Sequence, residues 1–170
     1  MHLLRLQNLP GYDLRELETA FSIADLQRII RAKTRTVPQG ELISTIGGIH
    51  PNQFAEGRLP TLAELDVAAP RNAVYVSVSS TGPGTVNTLG KKLLESLGVM
   101  VSVTGDVAAN AQTNLAFDQL RAQLTYPHFI RQLKDEMNYA LSRGLTTVYD
   151  QAGSVPGAGW AVRRRRPCFA

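Results

Sequence analysis

The residues best suited to bind a metal or act as nucleophiles are few in this chain. They are three histidines (His2, His50 and His128) and one cysteine, Cys168. A metal site needs such ligands to converge, usually at a short fixed spacing along a helix or strand. There is no H-x-H, no H-x-x-x-H and no cysteine pair, so a complete metal site is not expected in this chain, and no catalytic residue set can be named. His50 follows a predicted strand and the pair Gly47-Gly48, which suits a pocket-facing residue; a surface-loop histidine beside Pro51 is the plainer alternative. Asp150 stands where a predicted strand stops and a glycine-containing loop begins. In α/β folds that edge is where ligands bind, although a carboxylate there can equally cap the following turn. Cys168 lies in a polar tail and reads as an exposed thiol.

A second group of candidates lies between Val74 and Leu97, which reads as strand, glycine-rich turn and helix. Gly82-x-Gly84 ahead of helix amides could hold a phosphate. This gives the alternative of a small α/β phosphate- or nucleotide-binding module using residues 82–88, with Gly82 and Thr88 at its ends. The dinucleotide fingerprint, however, requires a third glycine where Asn87 stands, and the P-loop requires Gly-Lys followed by Ser or Thr. Lys91 and Lys92 come too late to replace the P-loop lysine. A plain strand–helix connection accounts for the pattern. Ser79, Ser80 and Thr81 cluster at a strand end, but no G-x-S-x-G surrounds them.

The elements that would position these residues follow from periodicity and capping. Ser22 and Asp25 form an S-x-x-[DE] cap, and Ile23, Leu26, Ile29 and Ile30 then recur at helical spacing until Pro38 and Gly40. Residues 41–49 read as a strand and 50–59 as a loop. Thr61 and Glu64 make a second capping box for a helix over 62–68. Residues 73–80 form the clearest strand, with Val74, Val76 and Val78 on one side and Tyr75, Ser77 and Ser79 on the other. A turn over 81–84 leads to a helix over 86–97 with Gly98 just beyond its end. A short strand over 99–104, a turn at 105–106 and a helix over 108–124 come next. A third long helix covers 129–142, with Ile130, Leu133, Met137 and Leu141 on one stripe. A strand over 145–149 ends at Asp150. Alternating helices and strands define an α/β class.

The length of 170 residues suits one domain, and 44% hydrophobic residues supply a packed core. The net charge of +4 is accounted for by four consecutive arginines, Arg163 to Arg166, so the body is neutral. No aromatics interleave that run and no basic helix face leads into it, so neither nucleic acid nor membrane is an expected partner. No stretch approaches the roughly 20 apolar residues of a membrane span. The first residues lack a secretory signal, which makes the cytosol the expected compartment.

Several ordered motifs resemble amidohydrolase family 3, metal-dependent hydrolases of the amidohydrolase superfamily. They are Gly47-Gly48-Ile49-His50-Pro51-Asn52-Gln53-Phe54, then Arg58-Leu59-Pro60-Thr61 with Leu65-Asp66, Ala69-Pro70 and Ala73-Val74-Tyr75-Val76. Thr81-Gly82-Pro83 with Val86-Asn87-Thr88 resembles the family's "S-G-H…V-N-S" loop, and residues 144–150 resemble "G-V-T-T-V-x-D". The similarity spans about residues 11–153. Pro83 replaces the family's histidine, Ile49 replaces its tryptophan, and no H-x-H precedes Gly11.

The resemblance implies an incomplete piece of a (β/α)8 barrel with a family-specific α/β insertion. Residues 1–153 would form the partial domain and 154–170 an unstructured Gly/Arg-rich tail. It implies hydrolysis of a carbon–nitrogen, amide-like bond in a small-molecule substrate. A divalent, zinc-like metal would be present in full-length members and none held by this chain. His50, Asn87 and Asp150 would be the pocket-facing residues. A closed barrel takes about 250 residues, so truncation is the expectation for this chain.

Overall fold

The computed structural model describes residues 17–123 and, beyond them, single positions as far as Thr147. A 3-10 turn over Leu17–Thr19 leads into α1 (Ile23–Lys33), capped as expected: Ser22 Oγ accepts the Asp25 N–H, and the Asp25 carboxylate accepts from Ser22 Oγ and the Phe21 N–H. The strand expected over 41–49 is shorter, β1 (Ile43–Ile46). Its ladder ends because Gly47 and Gly48 both take positive φ, +91° and +76°, and turn the chain away. A 3-10 turn, Pro51–Gln53, interrupts the expected loop. Then α2 (Leu62–Ala68) occupies its predicted range, with both halves of the Thr61–Glu64 capping box formed.

Strand β2 (Val74–Ser77) pairs parallel with β1, setting Ile43 opposite Val74 and Ile46 opposite Ser77. The alternation read from the sequence sends Val74 and Val76 to one side, where they join Ile43, Ile49, Phe54 and the inner faces of α1 and α2. Tyr75 goes to the other side, with Leu42, Ile46, Val86 and Val107. Both sides are buried, so the polar alternate positions are interior rather than solvent-facing.

After the turn the fold departs from expectation. Gly84–Val86 is a strand, β3, antiparallel to β2; the helix expected from residue 86 begins later, as α3 (Thr88–Ser96). The strand expected over 99–104 is absent. Residues 99–102 are irregular and 103–104 form a turn, and the short strand β4 (Asp106–Val107) follows it, antiparallel to β3. Lys91 meets this segment, its ammonium donating to the carbonyls of Val101 and Ser102 and pairing with Glu95, while the Ser102 N–H donates to Asp106 O across the turn. α4 (Ala111–Ala122) then packs Ala116 and Leu120 onto the Tyr75 side, beside Leu94 of α3.

The described sheet is therefore mixed, in the order β1-β2-β3-β4, with helices on both faces. Only β1 and β2 have the parallel sense a (β/α)8 barrel requires. Of the helix expected over 129–142, Ile130, Lys134, Met137, Asn138 and Leu141 are helical, and Ile130, Met137 and Leu141 are exposed. Of the strand expected over 145–149, residues 145–147 are described and are not strand. His2, His128, Asp150, Cys168 and the tail over 154–170 lie outside the described residues.

The capping box over Glu64 carries a pH signature. Arg58 forks onto the Glu64 carboxylate with two bonds of 2.8 Å, and Thr61 adds its N–H and hydroxyl. The Arg58 guanidinium first, then Thr61, hold the Glu64 carboxyl down to about 2 from the usual 4.5, against a smaller opposing effect of burial. A lowered folded-state value stabilises above the unfolded one and is lost as pH falls from about 4.5 through about 2. With the Arg58 side chain 47% exposed, screening reduces the effect, and Glu64→Gln should cost about 1–2 kcal/mol near neutrality. Urea melts of both forms should converge in acid; a gap independent of pH would refute the assignment.

Candidate functional site

Two loops leave the carboxyl edge of the parallel pair, and each is shaped by its own sequence. After β1, the Gly47 N–H donates to Ser77 O at 2.9 Å, the last bond of the ladder. The two left-handed glycines then deliver buried Ile49 to the α1/α2 core and leave His50 exposed. Ile49, standing where the resembled family has tryptophan, is thus a core residue. His50 caps the 3-10 turn after it: its Nδ1 accepts the Asn52 N–H at 3.2 Å. That bond assigns the neutral imidazole's proton to Nε2, the nitrogen left to meet a partner.

After β2, the turn is built on Ser79, whose Oγ accepts the N–H groups of Gly82 (2.7 Å) and Thr81 (3.2 Å). A side chain on Gly82 would press on Ser79 and Val78, so the tight turn needs glycine there. Pro83 O accepts the Val78 N–H, closing the β2–β3 hairpin. The same turn is tied to α4, because the Asn110 N–H donates to Thr81 O at 2.7 Å. Asn110 pays for this with φ +64° and ψ −94°, the one non-glycine residue at positive φ among those described, and its side chain makes no capping bond to α4. Strain of this kind costs on the order of 1–3 kcal/mol and concentrates at functional edges. The sequence held no signal for it beyond Asn being tolerant of positive φ.

Asn87 is elsewhere. Its Oδ1 accepts the Val74 N–H and the Gly90 N–H, both at 2.8 Å, and its Nδ2 donates to Ala69 O (3.0 Å) and Asn72 O (2.8 Å). All four bonding positions of the amide are used, and the residue is wholly buried. Val74 is the first residue of β2, so Asn87 sits at the amino edge while His50 sits at the carboxyl edge. Four strand residues, at about 3.3 Å each, keep the two edges roughly 10 Å apart. The expectation that Asn87 shares a pocket with His50 is therefore corrected. The cause is β3, which carries the chain back across the sheet between Gly82 and Asn87.

The same geometry removes the phosphate-binding alternative. Residues 82–88 are a turn, a strand and a helix cap, with Gly82 and Thr88 at opposite edges. The first amides of α3 are already taken, Thr88 N–H by Asp66 Oδ1 (2.9 Å) and Gly90 N–H by Asn87. The Asp66 carboxylate also accepts from Thr88 Oγ1, and its negative charge would oppose a phosphate.

The described residues do not suit a resident catalytic metal. They contain no group of three or more His, Cys, Asp or Glu side chains placed to hold one. His50 is in the tautomer opposite to that of an Nε2 metal ligand, because its Nδ1 is already an acceptor. What the carboxyl edge can do is present an imidazole N–H, two hydroxyls and turn backbone to a polar ligand.

No family model matches the chain, and no curated protein matches it in sequence. Among solved structures its fold is similar to the crystal structure of an uncharacterized metal-dependent hydrolase from Pyrococcus horikoshii OT3. The TM-score is 0.56 at 21% identity, over 87% of this chain and 29% of that one. The chain thus shares an α/β fold with part of that protein and spans less than a third of it. No helix among the described residues is long and apolar enough to cross a membrane.

Proposed function

We propose that this chain is the substrate-facing part of a metal-dependent hydrolase of the (β/α)8 kind, similar to amidohydrolase family 3, acting on a carbon–nitrogen bond of a small molecule. The observation that carries the reading is the fold likeness over 87% of the chain to a protein named as a metal-dependent hydrolase. The motif order read from the sequence supports it independently. In this reading β1 and β2 are neighbouring barrel strands, and their carboxyl edge, with His50, faces substrate. Asp150, outside the described residues, would stand at the same edge. Asn87 holds the strands in place instead of touching substrate.

A metal supplies such enzymes with a hydroxide at neutral pH and polarises the scissile carbonyl. Among the described residues no group is placed to hold it; in our reading the ligands belong to other segments and this chain by itself is catalytically incomplete. We assign it no nucleic-acid or membrane partner and place it in the cytosol. Metal-stripped protein reloaded with zinc, manganese or iron should retain less than stoichiometric metal and hydrolyse no amide substrate. Stoichiometric metal together with hydrolysis abolished by His50→Ala would overturn the incompleteness. The hydrolase reading itself is tested by the flanking coding sequence, which should encode H-x-H upstream and further His and Asp motifs downstream; their absence in every frame would overturn it.

A further inference from the structure

The α3/α4 side of the sheet contains three buried hydroxyls without a hydrogen-bond partner among the described residues, Ser44 Oγ on β1 and those of Tyr75 and Ser77 on β2. Tyr75 and Ser77 both project to that side from β2, and both residues are 0% exposed. Neither Tyr75 OH nor Ser77 Oγ makes a hydrogen bond among the described residues. The two groups are neighbours over Gly84, the residue opposite Ser77 on β3: a Cβ built there would lie 2.9 Å from Tyr75 Cε2 and 3.0 Å from Ser77 Cβ. The absence of a side chain at position 84 is what lets the Tyr75 ring lie across the strand beside Ser77. Burial pushes the Tyr75 hydroxyl up to about 12, a rise tempered by the nearby Ser77 hydroxyl. Tyr75 therefore remains a proton donor throughout the ordinary pH range.

We propose that the Tyr75 and Ser77 hydroxyls hold one internal water beside Gly84. The chemistry narrows the ligand to this. Each hydroxyl both donates and accepts, so their common partner must do both. An ion is disfavoured because a charge buried without a counter-charge is costly, and the apolar neighbours on this side, Ile46, Val86, Leu94 and Val107, supply none. Full burial of both residues leaves no opening for a larger molecule. Buried waters of this kind satisfy polar groups that the chain cannot pair. Ser77 is the last residue of β2, so this water would brace the sheet directly beneath the Ser79 turn, independently of any hydrolase role.

The test combines stability with direct detection in the full chain. Tyr75→Phe and Ser77→Ala should each lower the melting temperature by about 3–6 °C, because each strips the water of a partner, and the double variant should lose less than the sum. Water–protein NOE spectra of the unsubstituted chain should show a long-lived water at the Ser77 amide, lost in both variants. Hydroxyls buried dry give the reverse: melting temperatures unchanged or raised, and no water cross-peak. That result would overturn the proposal, as would additive losses with no cross-peak. The spectra need no substitution and decide the question even if Tyr75→Phe fails to fold.

Discussion

Asn87→Ala should lower the unfolding free energy by about 4 kcal/mol, since it strands several buried backbone groups at about 1–3 kcal/mol each with partial relaxation. The groups are the N–H of Val74 and Gly90 and the carbonyls of Ala69 and Asn72. Urea unfolding followed by circular dichroism would show it as a lower midpoint at unchanged slope. Asn87→Asp is the informative companion. It keeps the two acceptor bonds but turns a carboxylate oxygen toward two carbonyls, so it should recover little. If Asn87 instead faced a substrate pocket, both replacements would leave stability nearly intact, and a change under 1 kcal/mol would contradict the structural role.

Gly90→Ala should be comparably damaging, although alanine is about 1 kcal/mol better than glycine inside a helix. A Cβ at position 90 collides with the Val74 carbonyl oxygen and crowds Asn87 Oδ1 at 3.1 Å. Because the obstacle is the backbone of a central strand, α3 must lift off β2, and the net loss should be about 3 kcal/mol or more, at the upper end of overpacking. Gly98 is the control. Its φ is +82°, but nothing lies within 4 Å of its added Cβ, so Gly98→Ala should cost only about 1 kcal/mol. Equal losses at the two positions would mean that steric approach is not what requires glycine at 90.

These two positions also show where sequence reading stops. The caps at Ser22 and Thr61 were legible because a cap is a local bond between residues three apart, and the structure forms both. The sidedness of β2 was legible for the same reason, since alternation is a property of the strand alone. Strand β3 was not. Three residues, one of them glycine, carry no periodic signal, and only the pairing of Tyr75 with Val86 and Ser77 with Gly84 makes them a strand. That strand is what carries Asn87 to the amino edge, away from the pocket position that the family resemblance implies. His50 follows β1 and a glycine pair, yet the bond from Asn52 that fixes its tautomer depends on a 3-10 turn that the composition does not announce. The strain at Asn110 arises from a contact with Thr81, remote in sequence.

The mixed pairing of the sheet has a consequence for how the chain reaches this structure. β2 and β3 are joined by a short connection and can zip together as a hairpin, whereas β4 joins β3 only after the chain has passed through α3. β1 must close a much longer loop containing α2 before its parallel ladder forms, which delays it entropically. Asn72 and Asn87 span that division: Asn72 donates to Pro38 O and Glu41 O ahead of β1, and its own carbonyl accepts from Asn87. The two amides act as a latch, set when the late strand docks onto the early hairpin. The carboxyl edge that carries both His50 and the Ser79 turn does not exist until that latch closes, so the candidate site is among the last parts of the molecule to be made.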